Sequence, residues 1–600
     1  CIGNAAMFSF IVVCRQVTIS AGGSVLRPFR INLLMILFLI IFSALTALVA
    51  FHQLVRGPEI AARAVAMRSQ PIELKEYNRG NIWDRNYQPL TGTHTASALY
   101  CFPQQYLARS LSPDKNSESS DARINSLVQE LAVLVPELNP EQAAKEIKNS
   151  LRSGEACVRL VTDLTPSQAD SLQRAAIPGV VVAPVQKRYS ADGFLAHVIG
   201  TVENSKRARG LSGIERVYDE VLSNSPSSLE LVTIKDARGE AIHGLMYKIR
   251  QKQDQGKGSV VLTMDKRVQT AVERIMDQRV KKGAVVVMDI KTRQVLAMAS
   301  RPTFNPYQVG QVISFDQESA LLNRALTSYY PGSLFKILVA AAALDKGIVD
   351  LSTPFHCSGA YRFSEQLEIS CWKEEGHGDI TFAEALAFSC NPAFIETARL
   401  VGRQTLAEYA ERLHVTDVNL LGYGPCQEGS YVRISPGPAG LGNAALGQQG
   451  VQLTPLQLTS LLATIADDGQ WMPPSIVLHY IDDQGNKKSP DRREPEQVLS
   501  VSTARQLQGM LVLTLEKGTG RSAVLPEVSM AGKTGTSQTG QLNEQQEEIL
   551  NAWFGGYLPA ANPRWAIVVL VEEGISGAES AAPVFKDVAQ SLIQLYPTGG

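Results

Sequence analysis

Tyr330-Pro331-Gly332-Ser333-Leu334-Phe335-Lys336, continued by Ile337-Leu338-Val339-Ala340-Ala341-Ala342-Ala343-Leu344, is the stretch from which this chain is read. Pro331 and Gly332 interrupt whatever precedes them, and the small and aliphatic run that follows favours helix. Ser333 is therefore expected in the first turn of a buried helix, with Lys336 three residues on and on the same face. A serine nucleophile needs an amine to take its proton. It also gains from a helix N-terminus, whose free N–H groups and positive dipole end favour nearby negative charge. The spacing alone does not decide the chemistry, because Ser112-Pro113-Asp114-Lys115 fits the same S-x-x-K template in a polar loop.

Two later segments decide it. Ser389-Cys390-Asn391 ends the helical run Ala383–Phe388, and Lys533-Thr534-Gly535-Thr536 follows Val528–Gly532. The ordered triplet S-x-x-K, S-x-N, K-T-G is the signature of penicillin-binding proteins and β-lactamases, and the chain resembles that family. Arg79-Gly80-Asn81-Ile82-Trp83-Asp84-Arg85-Asn86 is similar to the segment that opens the non-catalytic domain of the class B members. Arg188-Tyr189, His197-Val198-Ile199-Gly200 and Gly213-Ile214-Glu215 recur in the order seen in that family. No E-D-x-x-F-type glycosyltransferase motif lies between the N-terminal apolar segment and the catalytic motifs, so the resemblance is to class B, not class A.

The bulk properties agree with a large membrane-attached enzyme. Six hundred residues predict two to four domains, and a hydrophobic content of 44% suffices for large cores. With 57 basic and 58 acidic residues the formal charge is −1, which predicts no nucleic-acid-binding face. The eight cysteines are scattered without a C-x-x-C pair or metal-ligand spacing, so neither a zinc site nor any other cofactor is expected. Cys1 in place of Met predicts a fragment or a misplaced start; a lipid-modified Cys1 would be redundant with the span that follows.

Ile31 to Phe51 carries no charge and would be about 31 Å long as a helix, enough to cross a bilayer core. An uncleaved anchor is expected rather than a signal peptide, whose apolar core is shorter. Arg15, Arg27 and Arg30 precede the segment and Arg56, Arg63 and Arg68 follow it, so charge does not set its orientation. Two polar helical stretches, one including Ile124–Leu131, fall within 112–160. Further on, Gly283–Asp289 and Gln294–Ser300 read as a hairpin, and Ala552–Tyr557 and Trp565–Val571 as later strands, before a closing helix over Ala582–Tyr596.

The expected fold class is α+β. A cytoplasmic tail (1–30) and a single transmembrane helix (31–54) lead into an elongated α+β pedestal or dimerisation domain (55–257). A transpeptidase domain (258–598) follows, with an antiparallel sheet covered by helices and an all-helical subdomain holding Ser333 and Ser389. The resemblance implies a peptidoglycan D,D-transpeptidase with its catalytic domain outside the membrane. Ser333 would attack the carbonyl of the penultimate D-Ala of a stem peptide, Lys336 would take its proton, and Ser389 would relay that proton to the leaving amine. The Asn391 amide would hold the substrate backbone. Lys533, Thr534 and Thr536 would bind the substrate carboxylate, and Gly535 would let the strand edge approach the peptide. The N–H groups of Ser333 and Thr536 would form the oxyanion hole, worth about 3 kcal/mol per donor. β-Lactams would acylate the same serine, and a membrane-embedded peptidoglycan glycosyltransferase is the expected partner.

Three other functions compete: a β-lactamase or β-lactam sensor, a D,D-carboxypeptidase, and an idle scaffold regulating a glycosyltransferase. The acidic run Glu544–Glu548 lies after K-T-G, the wrong place for a class A deacylating glutamate. The long pedestal favours class B over a carboxypeptidase, and three intact motifs argue against an idle site. Cys390 and His197 read as structural, and His377 in Gly376-His377-Gly378 as a turn residue outside the catalytic set. Cys357 and Cys371 are compatible with a disulfide, which is the expectation, or with two buried free thiols in a short hairpin.

Overall fold

The computed structural model describes residues 26–57, 59, 69–74, 79–109, 119–155, 157–203, 208–223, 228–234, 247–252, 258–316, 318–422 and 431–597. Ser112–Lys115 and the tail before residue 26 lie outside them. Leu26–Ala50 is one helix that runs on as a π-helical turn over Phe51–Val55. Its 26 residues from Arg30 to Val55 are long and apolar enough to cross a membrane, and none of that window is buried inside protein. A soluble helix exposed all round would not be apolar all round.

The larger compact unit comprises residues 73–231 and 249–600. In its N-terminal part a three-stranded antiparallel sheet, ordered Val158–Thr162, His94–Cys101, Val180–Lys187, is covered by helices Ser120–Leu134, Pro140–Ser153 and Pro166–Ala175. The helix ends are written locally. Asn139 caps the second helix through Gln142 N with Pro140 in its first turn, and Gly154 closes it in the left-handed region. Leu99, Ile124, Leu127, Leu131 and Ile147 form the shared core.

The Arg79–Asn86 segment is a structural junction. Ile82–Trp83 pairs in parallel with Ser259–Leu262, extending a four-stranded sheet that also contains Val477–Ile481 and Lys487–Lys488. Asp84 accepts from Lys266 N at 3.1 Å, and the Asn86 amide donates to Asp265 at 3.2 Å. Arg79 donates to Glu215 and Asp219, and Arg188 and the Tyr189 hydroxyl also donate to Glu215.

The catalytic part is built on a five-stranded antiparallel sheet ordered Val295–Arg301, Gly283–Asp289, Trp565–Val571, Glu548–Leu558, Ala531–Leu542. Both faces are buried, which is why its inner strands are nearly unbroken apolar runs. Val285, Val287, Ile567 and Val569 pack under helices Lys266–Arg279 and Ala582–Leu595. Val286, Val568 and Leu570 pack on the other face, with the Pro455–Ala466 helix and the helix behind Ser333.

The insert between Arg301 and Ala531 is not all-helical. Pro354–Cys357 pairs with Gly378–Thr381, and Ala360–Ser364 pairs with Leu367–Ser370. These segments are too short for a stable helix nucleus and carry aromatic and β-branched residues, so pairing satisfies their backbone instead.

Candidate active site

Ser333 sits in a single 3-10 turn, Gly332–Phe335, that feeds directly into the helix Lys336–Asp345. The helix is buried on every side, so its alanine run is a packing requirement as well as a propensity. Gly332 has φ +58°, and a Cβ there would lie 2.5 Å from the Thr536 carbonyl oxygen. Glycine is thus what lets the Ser333 turn lie against the Lys533–Thr536 strand. Gly332 N donates to Gly447 O at 3.0 Å, and the Trp553 indole donates to Tyr330 O at 3.1 Å, holding the turn from two further sides.

Lys336 is fully buried and joins two of the three motifs. Its Nζ donates to Ser389 O at 2.8 Å, Asn391 Oδ1 at 2.7 Å and Ser389 Oγ at 3.3 Å. Burial pushes its ammonium down to about 8. The residues it reaches form the corner between helices Phe382–Ala387 and Asn391–Val401. Ser389 occupies the left-handed region at φ +56°, an uncommon place for serine that aims its hydroxyl back at the amine. The Asn391 side chain accepts from Lys336 and donates to Ser370 O at 3.0 Å, so its amide spans the lysine and the hairpin above it.

The third motif lies on the sheet's edge strand. Lys533 is fully buried, and its Nζ donates to Thr534 O at 3.0 Å. Burial, reinforced by the nearby Lys336 charge, holds its ammonium well below the usual lysine range. Thr534 Oγ1 is hydrogen-bonded to Thr519 Oγ1 at 2.6 Å, and Thr536 Oγ1 accepts from Gly577 N at 3.2 Å. Gly535 also has close neighbours within the protein. A Cβ there would meet Pro331 O at 3.0 Å and the Trp553 Cβ at 3.1 Å, so its small size serves contact with the turn that carries Ser333.

Ser333, Lys336, Ser389, Asn391, Lys533, Thr534, Gly535 and Thr536 therefore come together from three segments far apart in sequence. Thr519 is a contributor that sequence reasoning missed. Its N–H donates to Ala387 O at 3.1 Å while its hydroxyl meets Thr534, tying the edge strand to the helix before Ser389. A lone threonine after a helix carries no signal of that role.

The cysteines also depart from expectation. Cys357 and Cys371 are free thiols rather than a disulfide. With Cys390 and His377 they place four donor atoms within 4.8 Å of one another, although their linear spacing predicts no such cluster. His197, as expected, is structural: its Nε2 bonds to Ala320 O at 2.7 Å, and burial lowers it to about 4.

This fold and this constellation define a serine acyltransferase of the penicillin-recognising type, and comparison with known proteins agrees. Residues 283–590 match the penicillin binding protein transpeptidase domain, and residues 75–259 match the penicillin-binding protein dimerisation domain. The chain belongs to the penicillin-binding protein transpeptidase family, and within it to class B. It is 28% identical over 589 residues to stage V sporulation protein D of Bacillus subtilis, covering 94% of this chain and 85% of that protein. It is 26% identical to the peptidoglycan D,D-transpeptidase FtsI of Escherichia coli K12, covering 94% and 91%. In fold it is similar to the penicillin-binding protein PBP2 of a Helicobacter pylori PBP2–MreC complex. That match has TM-score 0.65 and 19% identity, and covers 88% of this chain and 99% of that one.

Proposed function

We propose that this chain cross-links peptidoglycan stem peptides as a D,D-transpeptidase through an acyl-enzyme on Ser333, and that β-lactams acylate the same oxygen. The observation that carries this reading is the buried Lys336 amine, bonded to the Ser389 and Asn391 corner one helical turn from Ser333. An amine with a lowered affinity for protons can accept the Ser333 hydroxyl proton as the oxygen adds to the carbonyl of the penultimate D-Ala. The tetrahedral oxyanion would form between the N–H groups of Ser333 and Thr536, whose segments Gly332 keeps in contact. Ser389, in reach of Lys336 Nζ, would return the proton to the departing D-Ala amine. An acceptor amine on a second stem would then displace Ser333 and leave a new peptide bond.

Lys533 would supply positive potential for the substrate's terminal carboxylate. Burial and Lys336 lower its proton affinity, and an arriving carboxylate would raise it again. Thr534 and Thr536 would donate hydroxyls to the same carboxylate, and Asn391 would exchange one of its present bonds for the substrate backbone. The apolar helix Arg30–Val55 supports single-pass anchoring, with the catalytic part on the extracytoplasmic side where peptidoglycan lies. The N-terminal region of the large unit would serve as a pedestal for membrane partners, a peptidoglycan glycosyltransferase among them.

The test is labelling by a fluorescent penicillin, followed by product analysis with a stem-peptide thioester and acceptor amines. Wild-type protein should label and form the cross-linked product. Ser333→Ala should do neither, and labelling that survives this change would remove Ser333 as the nucleophile.

A further inference from the structure

One carboxylate outside the three motifs is held between two segments of the cleft. Glu572 and Glu573 follow the strand Trp565–Val571, and only the first turns inward: its side chain is 16% exposed, against 55% for Glu573, which pairs with Lys282 at 2.9 Å. Glu572 Oε1 accepts from Arg324 Nε at 2.8 Å and from the Tyr329 hydroxyl at 2.6 Å. Arg324 is buried and has other anchors. Its remaining guanidinium nitrogens donate to Ser319 O at 3.0 Å and Glu318 O at 2.8 Å, and its main-chain N–H donates to Ser300 Oγ at 3.1 Å. The arginine therefore sets where the carboxylate stands, and the carboxylate sets where Tyr329 stands. Tyr329 precedes Ser333 by one turn of chain. Its main chain pairs with Leu453 in both directions, at 3.0 and 2.9 Å, and its ring meets Trp553 edge-on at 6.1 Å. Beyond Glu572 the chain runs to the other wall. Gly574 N donates to Leu550 O at 3.0 Å, and Gly577 N donates to Thr536 Oγ1 at 3.2 Å. A Cβ on Gly577 would lie 2.4 Å from Gly535 O and 2.5 Å from Trp553 O, so this segment lies directly on the last two strands of the sheet. Residues 572–577 thus form a strap bonded at one end to the approach to Ser333 and at the other to Thr536.

We propose that Glu572 is a positioning residue for acylation: through Tyr329 it fixes the Ser333 turn against the strap bonded to Thr536, and so sets the spacing of the two oxyanion N–H donors. The inference rests on the assignment of Ser333 as nucleophile made above. Two donors act together only when both reach the same developing oxyanion, and small displacements at that distance are costly. Ser333 and Thr536 belong to segments far apart in sequence, and Gly332 allows those segments to touch without fastening them. The strap supplies fastenings on both sides. Burial and the adjacent Glu572 push the Tyr329 phenol well above the usual tyrosine range, so it remains a donor as Lys336 gives up its proton at about 8. Lys336 bonds to Ser389 and Asn391, and Lys533 to Thr534, so Glu572 acts on the geometry of the turn and not on the proton acceptor.

The experiment is rapid-mixing acylation of the purified full-length protein by a fluorescent penicillin. It separates the dissociation constant of the noncovalent complex from the acylation rate constant and from the final fraction labelled. Tyr329→Phe removes one hydroxyl and keeps the ring against Trp553. It should lower the acylation rate constant about tenfold, a share of the hundredfold that a displacement of about 1 Å costs, with the dissociation constant and the fraction labelled unchanged. Glu572→Gln should slow acylation by a similar factor, and the double variant should be no slower than the worse single one, because both changes act through one bond. Glu573→Gln should match wild type, and the pH at which the rate levels off should stay in place throughout. A merely structural role would lower the fraction labelled and leave the rate constant of the remainder intact. That result would overturn the proposal, as would Tyr329→Phe acylating at the wild-type rate or losses that add in the double variant. Tyr329→Phe decides the matter even where Glu572→Gln fails to fold. Labelling that survives Ser333→Ala would overturn both this inference and the assignment of the nucleophile, whereas an essential Ser333 with an unaltered rate in Tyr329→Phe overturns this inference alone.

Discussion

Ser333 and Lys336 lie within one turn, yet Lys336 spends its hydrogen bonds on Ser389 and Asn391. The amine is thereby held in place while burial keeps its proton affinity low, so the neutral form accumulates as pH rises through about 8. Penicillin acylation of wild type should therefore rise with pH across that point and level off above it. A rate that is flat between about pH 6 and 9 would remove Lys336 as the proton acceptor. Gly332 gives a second prediction. Alanine there must adopt φ +58° and place a methyl 2.5 Å from Thr536 O, which separates the Ser333 turn from the edge strand. Gly332→Ala should slow acylation by about a hundredfold, as expected for a displacement of about 1 Å at the reacting atoms. Circular dichroism should show a folded protein. Acylation at the wild-type rate would mean that the contact does not position Ser333.

At the scale of elements, the junction around Glu215 gathers several charged groups on one buried carboxylate. Glu215 and Arg79 are buried, and Arg188 and Tyr189 bond to the same carboxylate. Such a cluster adds little stability compared with apolar packing, but losing one partner strands the others. Glu215→Ala should destabilise the large unit by about 3–5 kcal/mol, read as a lower denaturation midpoint. Arg79→Met combined with Glu215→Leu should recover part of that loss. A midpoint unchanged in the single variant would show that the cluster is hydrated and carries no structural weight. His197, which bonds to Ala320 O, gives a separate test by pH. Its folded-state value of about 4 lies below the ordinary 6.5, so the unfolded chain takes up a proton first as pH falls. The His197 contribution is complete above about 6.5 and is lost progressively down to about 4, at most about 3 kcal/mol. His197→Asn should flatten that part of the stability–pH curve, and an unaltered slope would place the titration elsewhere.

For the whole molecule, the apolar helix and the enzyme differ in composition. The span from Arg30 to Val55 has no buried window, whereas the cores of the catalytic part are closed without it. Removing residues 1–55 should release a soluble protein that still binds penicillin, measured by sedimentation and labelling. An insoluble product that does not label would mean that the span completes a folded core. Much of this organisation is legible from sequence because it is local. An uncharged run is long and apolar enough to cross a membrane by its own composition, and a serine three residues before a lysine on a helix shares its face. The order of the three motifs identifies the family, and alternating and continuous apolar runs mark the strands of the central sheet. What the tertiary structure alone decided are contacts between segments that no spacing rule links. The insert folds into hairpins where helix was expected. Gly535 makes room for Pro331 and Trp553, Thr519 bridges two motifs, and Ser389 is held in the left-handed region. The scattered cysteines meet because Gly376 lets one loop cross against another, so their partnership depends on the path of the chain through space and not on the distance along it.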